Sequence, residues 1–142
     1  MIYGVFLQNI KCETRLAKWY CGFTQSEKQR IADKIFNEIA QRDGRWVNFF
    51  DLEGRKVVYR MYVGLVISVY VDRDDNTLAH HELIHLIVEI LDAFYGNIRE
   101  LDVICNFNTL HGLLNELILA GELLETSKED VLERLRSTYR LN

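Results

Sequence analysis

The 142-residue chain contains no proline. No ring locks a φ angle or removes a backbone donor, so breaks between elements fall to glycine and polar clusters. Cysteine is scarce. Cys12, Cys21 and Cys105 are odd in number and form no C-x-x-C pair, which suits a reducing compartment better than a disulfide framework. Long hydrophobic runs are missing too. The longest, Met61 to Val71, holds Gly64 and Ser68, lies between Arg60 and Asp72, and is too short to span a bilayer. The opening MIYGVFLQN has no basic segment and no small-residue cleavage site, so no signal peptide is expected and the cytosol is the default. Cationic excess is also lacking. A formal net charge of -4 argues against nucleic acid as a partner. Neither G-x-x-x-x-G-K-[ST] nor G-x-G-x-x-G occurs.

What is present is an ordinary globular composition, 49% hydrophobic and 27% charged, enough for a single domain over residues 1–142 with a real core. Ile2 to Gln8 is a β-rich apolar run. TRLAKWY, Thr14 to Tyr20, sorts alternate residues onto two faces and reads as the second arm of a hairpin. Ser26 with Gln29 makes a capping box for an amphipathic helix of about four turns, with Ile31, Ile35, Phe36 and Ile39 inward and Gly44 after it. WVNFFDL and RKVVYRMYVGLVISVYVD are β-branched and aromatic, and Gly54 and Gly64 divide them into three strands. DRDDN, Asp72 to Asn76, is a polar loop ending in a helix cap. Thr77 to Tyr95 is the next helix, stopped by Gly96. Asp102 to Ala120 reads as another, stopped by Gly121. Thr126 with Glu129 caps a last short one. Short turns between strands favour antiparallel pairing, which predicts an α+β fold with a five-stranded antiparallel sheet flanked by helices.

One motif points elsewhere. His81, Glu82 and His85 spell H-E-x-x-H, which on a helix sets two imidazoles one turn apart with a carboxylate between them, as in zinc hydrolases. The third ligand is the difficulty. A metzincin places glycine and histidine where this chain has Val88 and Leu91. Glu100 and Glu116 are the remaining candidates. The stripe Ile84, Ile87, Val88, Leu91 and Phe94 faces a core and leaves His81 and His85 on its solvated flank, with His80 nearer the core. Cys105 and His111 show no nucleophile spacing, and Cys105 reads as a small core residue. The residues alone give no enzyme.

Several segments carry a resemblance: TRLAKWY (14–20), KVVYR (56–60), VDRDDNTLA (71–79), ELDVICNF (100–107) and LAGELLETSK (119–128). Together they resemble the small (sigma) chains of clathrin adaptor complexes over Met1 to about Leu135, most like the plasma-membrane type. The family signature is two aliphatics, Tyr, a basic residue, four spacers and Leu-Tyr-Phe. Val57, Val58, Tyr59, Arg60 and Leu65 match it, and Val66 and Ile67 replace the two aromatics.

The resemblance implies a longin-like fold and a non-enzymatic subunit without cofactor or metal. It implies direct packing on a large adaptin, in a heterotetramer with a second large chain and a medium chain. Clathrin and membrane lipid would be reached through those partners, on the cytosolic face of plasma-membrane coated pits and vesicles. It also implies help in binding acidic dileucine sorting signals, [DE]-x-x-x-L-[LI], in cargo tails. By resemblance the leucine slot is Val63, Leu65, Val88, Asn97, Ile98 and Val103, and Arg15 meets the acidic residue. Val63 replaces a smaller residue and narrows the slot. Burying each leucine contributes about 1.5–3 kcal/mol, whereas an exposed charge pair adds about 0.2–1 kcal/mol and sets register. On their residues alone Leu65 and Val88 read equally as core, Arg15 as a solvated strand residue and Asn97 as a turn former. The alternatives are the small chain of a Golgi, endosomal or other coat complex, and the zinc hydrolase.

Overall fold

The computed structural model describes residues 1–9, 14–42, 48–62, 65–95, 112–115, 118–119, 122–123 and 133. The expected strands form: β1 (Ile2–Asn9), β2 (Thr14–Trp19), β3 (Phe49–Leu52), β4 (Arg55–Tyr62) and β5 (Leu65–Asp72). All pairings are antiparallel, in the order β2-β1-β5-β4-β3. With α1 (Gln25–Gln41) and α2 (Thr77–Tyr95) this is the expected α+β, longin-like sandwich.

The two helices divide the sheet's faces by strand alternation. On β5, Leu65, Ile67, Val69 and Val71 join Leu83, Ile84, Ile87 and Leu91 of α2 in one core cluster. The intervening Val66 and Tyr70 join Ile31, Ile35 and Ile39 of α1 in the other. Because β5 is covered on both sides, it reads as a continuous apolar run rather than an alternating one.

Local chemistry sets the joints. Glu53 and Gly54 both have positive φ, 50° and 78°, between the paired Leu52 and Arg55. That is a two-residue hairpin whose twist matches the strands it joins. The start of α1 differs from the Ser26 expectation. The cap is Thr24, whose hydroxyl accepts the Glu27 amide at 3.2 Å. Thr24 and Glu27 also fit the S/T-x-x-E pattern, and they leave Ser26 inside the first turn. Arg42 ties the far end of α1 to the sheet. Its Nε donates to the Tyr59 hydroxyl at 3.0 Å, its Nη2 to the Phe49 carbonyl at 3.2 Å, and its guanidinium lies 5.4 Å from the Phe50 ring centre.

The expected helix 102–120 is corrected at its end. Residues 112–115 are helical, but Ile118–Leu119 pairs antiparallel with Glu122–Leu123 as a second, two-stranded sheet, β6 and β7. Leu113, Leu114 and Ile118 bury against the α2 side of the core. That burial decides the backbone there over the helical leanings of the leucine-rich sequence. The rest of that segment and Gly44 lie outside the described residues, as does the last short helix apart from Glu133, which is helical.

Candidate functional site

Three of the seven slot and charge positions fall among the described residues, and they gather at one end of the sheet. Asn9 of β1 pairs with Leu65, and Gln8 and Leu7 pair with Thr14 and Leu16 on either side of Arg15. Arg15 and Leu65 therefore stand at the same end, two strand spacings or about 10 Å apart. α2 returns over β5 from the opposite end. Val88, eleven residues past Thr77, has travelled about 17 Å of the roughly 23 Å from Asp72 back to Leu65. Val88 and Leu65 belong to the same core cluster. The Arg15 side chain, Val63, Asn97, Ile98 and Val103 lie outside the described residues.

Leu65 and Val88 are closed off from water, at 1% and 4% exposure. Neither is an open wall in this state. A ligand side chain could meet them only where part of the covering layer shifts, and Leu113, Leu114 and Ile118 belong to the same cluster.

The H-E-x-x-H helix resolves into three different environments. His80 is buried at 6% exposure, with its Nε2 3.2 Å from Asp75. His81 is half-buried, and burial together with the Arg60 and His80 charges holds its pKa below the ordinary 6.5. His85 is exposed and its Nε2 lies 2.5 Å from the Glu89 carboxylate. Val88 and Leu91, at the positions a metzincin needs for glycine and histidine, are core. Glu100 and Glu116 lie outside the described residues.

The opposite end of the sheet holds a polar network that the sequence reading missed. The Met1 ammonium sits 3.1 Å from Asp72 and 2.7 Å from Asp75. The Tyr3 hydroxyl donates to Asp72 at 2.5 Å, and this bond and the ammonium hold the Asp72 carboxyl below its usual range. The buried Lys56 amine donates to the Asp75 carbonyl and to the Thr77 hydroxyl. The Asn76 side chain caps α2 by accepting the Leu78 amide at 3.0 Å. Much of VDRDDNTLA therefore holds the β5–α2 joint together. A lysine in the β-branched run of β4 was the available signal.

The network makes stability pH-dependent. Burial lowers the His80 pKa below 6.5; Asp75 opposes this, and the Met1 and Lys56 charges add to it. The folded state therefore resists a proton that the unfolded chain accepts. Its contribution is complete above 6.5 and is lost as pH falls toward the folded value. His81 acts in the same sense. The urea midpoint is expected to fall between neutral pH and pH of about 5.5, and His80→Phe should flatten part of that fall.

Sheet order, face assignment and the matched strings all lead to one class, a longin-like adaptor subunit. The family model for the clathrin adaptor complex small chain matches residues 1–142, and the chain belongs to that family. The AP-2 complex subunit sigma of Neurospora crassa is 44% identical over 142 residues, 99% of each chain. That of Dictyostelium discoideum is 42% identical over 135 residues, 95% of each. The AP-1 complex subunit sigma-2 of Dictyostelium discoideum is 46% identical over 120 residues, 84% of this chain and 78% of that one. Among solved structures, a chain of a full-length AP-3 complex homology model in a stretched open conformation matches with a TM-score of 0.76. It is 26% identical, covering 97% of this chain and 93% of that one. The family is a structural adaptor subunit of vesicle transport, not an enzyme, so the hydrolase reading of His81, Glu82 and His85 is set aside.

Proposed function

We propose that the chain is the small subunit of an AP-2-type adaptor, packs on a large adaptin beside a second large chain and a medium chain, and binds acidic dileucine signals. It acts on the cytosolic face of coated pits. Membrane and clathrin are reached through its partners, and among the described residues no helix is long and apolar enough to cross a membrane. The observation that carries the cargo reading is the gathering of Arg15, Leu65 and Val88 at one end of the sheet, in a chain of this family. Two apolar side chains offer leucines a partner, and Arg15, whose backbone stands at the same end of the sheet, supplies a cation to set register for an acidic residue four positions before the first leucine.

The AP-2 assignment rests on relatives matched over 99% and 95% of the chain. An AP-1 subunit is as similar per residue over a shorter stretch, which favours a Golgi or endosomal adaptor as the second reading. Co-purification separates the two by the large chains recovered.

The cargo test uses the chain co-purified with its large adaptin and a fluorescent [DE]-x-x-x-L-L peptide. Binding is expected to be lost when the two leucines become serine. Arg15→Ala is expected to weaken it by up to about fivefold, the size of one exposed charge pair. Equal binding of the serine peptide would end the cargo reading.

A further inference from the structure

We infer that His81 and His85 form a two-imidazole chelate for a divalent transition cation, of the Zn2+ or Cu2+ class, along one flank of α2. The two side chains are four residues apart on one continuous helix, so their Cβ atoms share a face about 5–6 Å apart. That spacing lets a single ion bridge both rings. His85 is 54% exposed and His81 is half-buried, so an ion from solvent reaches both.

The second observation is Glu89. Its carboxylate lies 2.5 Å from His85 Nε2. When that nitrogen donates to Glu89, Nδ1 keeps its lone pair for the ion. A carboxylate behind a ligating imidazole fixes the tautomer and raises the ring's basicity. Imidazole donors select zinc, copper or nickel over magnesium or calcium. The Arg60 charge near His81 opposes a bound cation, whereas the Glu89 carboxylate at His85 favours one. Among the described residues, no group of three or more His, Cys, Asp and Glu could hold a metal. The chelate therefore rests on two protein ligands, with water in the other positions. It binds an ion without completing the three-ligand set of a hydrolytic zinc site.

The test titrates ZnCl2 into the untagged full chain at neutral pH by calorimetry. One saturable event per chain is expected, absent with MgCl2. It should be lost in His81→Ala and in His85→Ala, and weakened about tenfold or more in Glu89→Gln. Zinc should also raise the urea midpoint of the parent chain but not of the double His81→Ala, His85→Ala variant. Absence of a saturable event, or undiminished binding by the double variant, overturns the proposal.

Discussion

Phe6→Ala should lower the unfolding free energy by about 3–5 kcal/mol, roughly a fifth or more of what a small domain has. Phe6 is fully buried and sits at the centre of the α1 side of the sheet. Its ring meets Trp19 edge-on at 4.9 Å between centres, and Trp19 meets Phe23 at 5.3 Å. The neighbouring positions are shaped around it. A Cβ at Gly4 would lie 2.8 Å from Phe6 Cζ, and the β5 partner of Phe6 is the small Ser68. Removing the ring therefore empties a site that its surroundings cannot easily collapse into. Equilibrium urea unfolding measures the loss. Phe6→Leu, which keeps most of the volume, should lose clearly less.

The second large effect joins stability to cargo. Leu65→Ala is expected to cost about 2–5 kcal/mol of stability, because Leu65 is 1% exposed in the α2-side cluster. In the complex with the large adaptin it should also weaken the dileucine peptide by about tenfold to a hundredfold, as the apolar partner of one leucine is lost. Leu65→Met should leave both nearly intact. The two readouts separate the roles of the residue. A fall in stability with unchanged peptide affinity would assign Leu65 to the core alone.

The sheet was legible because β-branched and aromatic runs ended at Gly54 and Gly64, and because the Ile31, Ile35 and Ile39 spacing has only one helical reading. The joints were harder. Ser26-x-x-Gln29 and Thr24-x-x-Glu27 overlap by two residues, and local pattern cannot rank them. The Ile118–Leu119 pairing depends on burial against α2, which no local window contains. The slot was less legible still. Leu65 and Val88 have the periodicity of core residues and are buried as core residues are, so only the family resemblance singled them out. Conversely, H-E-x-x-H was the loudest local signal, yet its two histidines and the adjoining His80 stand in three unlike environments.

The sheet order also shapes how the chain emerges during synthesis. β1 lies between β2 and β5, so one of its two neighbours is encoded some 60 residues later. At roughly 5–20 residues per second that neighbour arrives about 3–12 s after β1. Until then Val5, Phe6 and Leu7 belong to a hairpin with one unpaired edge. Such an edge invites pairing with another nascent chain. The interior place of the first strand thus sets a waiting time in which a chaperone or a partner subunit can protect the chain.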